Sequence, residues 1–299
     1  MQSRNGTSTT LLHVLALCSG ILAVSFSSIL IRWSSAPAAV IGMYRLCLTV
    51  LLLLPLAARQ RRQVRNISRQ DMLLLVVAGI FLAFHFLFWI ESLKLTSVAS
   101  SMIFISLQPL FVMLGAFVWF RERTSLRTLF GTGLALAGSV FIALGDVGTG
   151  GHHLTGDALS LLGTMAISGY MLVGQSVRGR LSASLYNGIV FAVAAVVLWF
   201  YNVITKTPMT GYGHRDWTLF VLLALIPTLF GHALFNWLLR YVSAAAISMT
   251  ILGEPVGAMA LAWVLLGEPL LPYQVAGALL TLAGVGWFLR VRYTAGKLY

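Results

Sequence analysis

Three ionisable side chains stand inside long apolar stretches of this chain: Arg45, Glu91 and Glu254. A charged group at the centre of a bilayer costs about 2.5–3.5 kcal/mol even on lenient scales. Such a group is expected to face a cavity, a ligand or an opposite charge. A buried Glu can exchange a proton or hold an ammonium group, and a buried Arg can hold a carboxylate. Glu254 lies close to the middle of its stretch, and two roles are open to it: contact with a substrate or proton, or a structural pairing. Arg45, between GMY and LCLTV, either snorkels along its stem toward the surface or meets a substrate carboxylate or Glu254. Glu91 is near the end of its stretch and reads as an anchor. His85, His232, Asn187, Asn236, Gln108 and Gln175 are hydrogen-bonding candidates for the same cavity. Asn236 follows His232 by one helical turn, on the same face.

The surroundings of Glu254 recur earlier in the chain. LQPLFVMLGAFVWFRE at 107–122 matches GEPVGAMALAWVLLGE at 253–268, and Pro109 and Pro255 are 146 residues apart. Glu122 and Glu268, Gly131 and Gly277, and Gly138 and Gly284 keep the same offset of 146. Proline removes a backbone donor and disturbs the helix one turn back. Pro109 and Pro255 are therefore helix-break candidates, with freed carbonyls that can line a cavity. The residue before each proline differs: Gln108 hydrogen-bonds but does not titrate in the useful range, whereas Glu254 can.

These residues need apolar elements to carry them, and the composition supplies little else. Hydrophobic residues make up 59% of the chain and charged residues 9%, with a mean hydropathy of +0.89. A soluble domain carries about 25% charged residues, so most of this surface must face lipid. A crossing helix needs about 20 residues. Ten such runs occur, near 11–32, 36–57, 72–93, 96–120, 126–145, 156–177, 182–204, 216–238, 243–266 and 271–290. The first is longer than a signal-peptide core of about 7–15 residues and reads as a retained helix. With the N-terminus inside, fifteen of the twenty basic residues fall in cytoplasmic segments and only Lys94, Lys206 and Arg215 in outer ones. This positive-inside bias places both termini in the cytoplasm.

The 146-residue offset maps the first five runs onto the last five. Because five is odd, the second copy enters the membrane from the opposite side. The expected fold is thus an all-α polytopic membrane protein of ten transmembrane helices in two inverted five-helix repeats. Such repeats place a substrate site between them near the midplane. The segments are a cytoplasmic tail at 1–10, a first repeat at 11–145, an outer linker at 146–155, a second repeat at 156–291 and a cytoplasmic tail at 292–299.

Other functions lack their residues. The net charge of +12 comes from basic residues in short gaps, without the interleaved aromatics of a nucleic-acid surface. No GxxxxGK[ST] motif is present for an ATP-driven pump. Cys18 and Cys47 lie in apolar runs as small packing residues, and His152 and His153 need no metal in their Gly-rich loop. No catalytic cluster, metal site or cofactor is expected. Lipid-facing and partner-facing apolar surfaces have the same composition, so the sequence assigns no oligomeric state.

RWSSAPAAVIGMYR at 32–45, TSVASSMIFISLQPLF at 96–111, FRERTSLRTLFGTGLALAGSVFI at 120–142 and YVSAAAISMTILGEPVGAMALAWVLLGEPLLPYQVAGALLTLAGV at 241–285 resemble the EamA family of the drug/metabolite transporter superfamily. The resemblance implies a secondary transporter that exports a small polar or amphipathic metabolite, such as an amino acid, from a bacterial inner membrane. Its partners would be that substrate, membrane lipid and a coupling proton. An uncoupled facilitative permease is the alternative, ahead of a membrane enzyme or a non-transporting protein. The family frequently has an acidic residue where this chain has Gln108, so the site is expected to be asymmetric.

Overall fold

The computed structural model describes residues 3–96, 98–144, 153–266 and 271–294. Among the described residues, nine helical runs are long and apolar enough to cross a membrane, and Leu126–Phe141 is a shorter tenth apolar helix. An uninterrupted apolar backbone must satisfy its own hydrogen bonds in lipid, and the helix is the local way to do so. Glu268, half of one repeated pair, lies outside the described residues.

The first half runs α1 Ser3–Trp33, α2 Ala38–Ala58, α3 Arg61–Arg65, α4 Arg69–Leu95, α5 Val98–Ile105, α6 Gln108–Phe120 and α7 Leu126–Leu144. α1 is helical from Ser3, so helix extends through residues that the sequence suggested as a tail. The second half runs α8 His153–Arg178, α9 Ala183–Ile204, α10 His214–Leu223, a π-helical segment Ala224–Ala233, α11 Leu234–Leu238, α12 Ala244–Ile251, α13 Glu254–Leu266 and α14 Pro272–Thr294.

The packing of one half returns in the other. α1 packs on the π segment and α13, while α8 packs on α4 and α6. α2 packs on α9, and α7 on α14. Exchanging the halves exchanges the first two sets and leaves the last two pairs unchanged.

Close contacts rest on small residues. A Cβ added at Gly138 would sit 2.4 Å from the Thr281 backbone nitrogen and 2.5 Å from the Gly277 carbonyl oxygen. One added at Gly284 would sit 2.4 Å from the Ala135 nitrogen. α7 and α14 therefore touch backbone to backbone. α9 shows how a membrane helix divides its faces. Tyr186, Asn187, Val190, Phe191, Ala194 and Leu198 are buried at helical spacing, while Val196, Trp199, Phe200 and Val203 are exposed. The exposed face is apolar, as a helix surrounded by lipid requires.

Three interruptions shape the centre. α5 ends at Ile105 and α6 begins at Gln108; α12 ends at Ile251 and α13 begins at Glu254. Each second helix has its proline in the first turn, where a missing donor costs nothing. The third interruption is the π segment, which contains Pro227. Pro227 has no N–H for the Leu223 carbonyl four residues back. The Thr228 hydroxyl donates to that carbonyl instead, at 2.6 Å.

Candidate substrate cavity

The interrupted helices meet around a cavity of about 40 Å³. That is room for about three water molecules, so admitting a metabolite requires the helices to part. Four pairs of lining residues keep the 146-residue offset: Val24 with Tyr170, Trp89 with Phe235, Ile105 with Ile251, and Gln108 with Glu254. Both halves therefore present the same backbone positions to one space, with the side chain kept at Ile105/Ile251 and changed at the other three pairs.

Glu254 is buried, 6% exposed, and lines the cavity. Its backbone carbonyl accepts from Ser25 Oγ at 3.2 Å. Its carboxylate has no hydrogen bond to another described residue, which leaves it available to a ligand. Gln108 faces it from the other half, held by a 2.8 Å contact from its Nε2 to Met171 Sδ. Gln108 has donors and an acceptor but no charge to balance.

His85 and His232 also line the cavity, with ring centroids 6.3 Å apart and edge-on. His85 Nδ1 lies 3.0 Å from the Gly163 carbonyl oxygen. That oxygen can only accept, so Nδ1 carries the proton. The neutral ring then presents Nε2 as an acceptor. His85 stacks on Trp89 with 8° between the rings, and His232 meets Phe86 edge-on.

Arg45 is fully buried beside this space. Its Nε donates to Thr228 Oγ1 at 2.9 Å and its Nη1 to Ser27 Oγ at 3.4 Å. Ser27 lines the cavity. The guanidinium carbon lies 4.3 Å from the centre of the Phe86 ring, a cation–π contact. Nη2 has no hydrogen-bond partner among the described residues. A buried guanidinium nitrogen without an acceptor is costly, and a carboxylate would satisfy it. Arg45 and Glu254 form no direct ion pair. Of the two roles open to Arg45 from sequence, snorkelling to the surface is the one the geometry rejects: no part of the side chain reaches the exterior.

Asn236 lines the cavity, and Asn187 lies behind it. Asn236 Nδ2 donates to Asn187 Oδ1 at 2.6 Å and also to the Tyr170 hydroxyl. Asn187 Nδ2 donates to the Ala233 carbonyl at 3.2 Å. Arg178 Nε donates to the Asn236 carbonyl at 2.6 Å, which ties the network to the end of α8. Pro109 and Pro255 sit one residue inside α6 and α13 and set where Gln108 and Glu254 begin those helices.

Outside the cavity, Glu122 accepts from Gln175 Nε2 at 3.0 Å and approaches Arg292 at 3.6 Å. Gln175 is thus an end-of-helix strut rather than a lining residue, and its Oε1 accepts from the Ala244 backbone at 2.5 Å. Sequence reasoning did not single out Ser27, Tyr170, Thr228 or Pro227. Thr228 required the π segment to be seen. Among the described residues, no group of three or more His, Cys, Asp or Glu could hold a metal.

A solved structure, titled only "Crystal structure of protein", superposes with a TM-score of 0.76, covering 93% of this chain and 97% of the other at 14% identity. That likeness speaks to fold alone. No curated protein matches the sequence. The profile of the EamA-like transporter family matches twice, over residues 10–144 and 154–290. Together the two matches take in most of the polypeptide, and this chain belongs to the EamA-like transporter family, whose general function is secondary transport across a membrane.

Proposed function

We propose that this chain exports a small zwitterionic or amphipathic metabolite, of which an amino acid is the simplest example, by alternating access. In this reading residues 11–145 and 156–291 are two inverted five-helix repeats of a ten-helix protein. Residues 146–155 link them outside, and the tails at 1–10 and 292–299 are cytoplasmic. The supporting observation is the cavity wall, where four pairs of positions 146 residues apart face one space. Repeats that share a site can exchange conformations and so expose it to either side in turn.

The charges suggest the substrate class. Glu254 offers a free carboxylate to an ammonium group, and Arg45 has an unsatisfied Nη2 for a carboxylate. Tyr170, Trp89 and Phe235 offer apolar surface between them. Glu254 is also the group that can carry a proton. His85 and His232 line the same cavity, and Arg45 acts on Glu254 electrostatically. An uncoupled permease is the second reading, favoured by Gln108, which supplies no second titrating group.

Purified protein in liposomes, given a panel of labelled metabolites across a pH gradient, tests both readings. Amino-acid flux is expected, and transport restricted to purely cationic compounds would reject the zwitterion. Glu254→Gln should still bind substrate and lose pH-driven accumulation, measured per folded molecule. Normal accumulation in folded Glu254→Gln protein would leave the uncoupled reading. The proposed location is a bacterial inner membrane. A reporter fused after Tyr299 should be active only in the cytoplasm and one at Gly150 only outside; the reverse pattern would invert the topology.

A further inference from the structure

Two aspartates occupy matching places at opposite ends of the molecule. Asp71 is the third residue of α4, and Asp216 is the third residue of α10. The two positions differ by 145 residues, one short of the repeat offset. Each aspartate reaches across to the other half of the chain. Asp71 Oδ1 accepts from Arg180 Nε at 3.0 Å and from its Nη2 at 2.5 Å, in the turn between α8 and α9. Asp216 Oδ1 accepts from Ser34 Oγ at 2.6 Å and the Ser35 backbone at 3.0 Å, in the turn between α1 and α2. Its Oδ2 accepts from Ser35 Oγ at 2.8 Å. Ser34 and Arg180 are themselves 146 residues apart.

α4 connects the two ends. Its first turn carries Asp71, and in its last turn Lys94 Nζ donates to the Ala36 carbonyl at 2.5 Å, beside the Asp216 contacts. Between those two ends, His85 and Trp89 of the same helix line the central cavity.

We infer that Asp71–Arg180 and Asp216–Ser34/Ser35 are the two gate latches of the transport cycle, one on each face, each opening when the other is closed. This inference rests on the alternating-access reading above. Each latch ties the third helical run of one half to the first turn of the other. Parting the halves on either face must therefore break the latch on that face. The latches differ in kind: one is an ion pair, the other a set of neutral donors on a carboxylate. The Arg180 side chain is 54% exposed, so its ion pair is weakened by water and salt. Asp216 holds three neutral donors, and the two aspartates are similarly buried, 7% exposed for Asp216 and 9% for Asp71. The Asp71 latch is an ion pair with an exposed partner, so salt loosens it selectively.

The test uses the full-length protein in sealed vesicles of known orientation. Cys18 and Cys47 are replaced by Ser, and Ile167→Cys supplies a cavity thiol for a membrane-impermeant maleimide. Asp71→Asn should speed labelling from the Asp71 face by about two- to fivefold. Asp216→Asn should speed it from the other face by about tenfold or more. Neither variant should speed labelling from its far side. The double variant Asp71→Arg/Arg180→Asp should restore the slow rate. If Asp216→Asn does not fold, Ser35→Ala removes one bond and should give a smaller shift on the same face. Equal acceleration on both faces, or none in folded protein, overturns the latches. Metabolite flux in the unaltered protein is read separately. Side-specific labelling without flux would keep the gates and reject the proposed cargo, while flux without side-specific labelling would do the reverse.

Discussion

At the centre of the molecule the first half contributes Arg45 and the second contributes Glu254, and neither charge has a counterpart at the matching position. Position 191 in the second half is Phe, and position 108 in the first is Gln. All four side chains are buried. Backbone shape is repeated while charge is not. There is a physical reason for the difference. A symmetric pair at positions 108 and 254 would put two carboxylates into one small cavity, where like charges disfavour ionisation. One Arg and one Glu instead place a base and an acid around the same centre. Variants at shape-determining positions should therefore behave alike in the two halves, and variants at charged positions should not.

The largest effect is expected where shape is tightest. Gly138→Leu and Gly284→Leu each drive a side chain into the backbone of the opposite helix, which has no room to yield. Overpacking of this kind costs about 3 kcal/mol or more. Both variants should lower the melting temperature in detergent by similar amounts, and a large inequality would break the equivalence of the two halves. A smaller effect is expected at the unmatched charge. Arg45→Lys keeps the charge but loses the planar fork that spans Thr228, Ser27 and the open Nη2. Transport should fall about tenfold with the fold retained, because the two side chains are not interchangeable at such a site. Phe191→Leu, at the matching position, should leave flux per folded molecule unchanged. The smallest effect concerns glycines with open space around them. Gly133 and Gly286 have nothing within 4 Å of an added Cβ. Replacing either with Ala should stabilise by about 0.5–1 kcal/mol through the unfolded chain, read as a small rise in melting temperature.

Much of the architecture was legible in order. Apolar run lengths located the helices, because a backbone in lipid has few alternatives to helix. The 146-residue offset anticipated which positions would correspond, since Pro109 and Pro255 impose the same local disturbance wherever they occur. Residue type also nominated Arg45, Gln108 and Glu254, because polar groups in apolar runs are expensive. What the sequence left open was direction: whether Arg45 runs to the surface or inward, and whether Glu254 is paired or free. Those depend on the rotation of each helix about its axis, which hydrophobic runs of this kind do not encode, since lipid-facing and protein-facing sides are both apolar. Thr228 was invisible for a related reason: its hydroxyl reaches Arg45 only because the helix widens around Pro227. Asp71 and Asp216 looked like ordinary first-turn acids. Only tertiary packing brings Arg180, Ser34 and Ser35 to them across more than a hundred residues of chain, because a turn's neighbours in space are set by how the two halves dock.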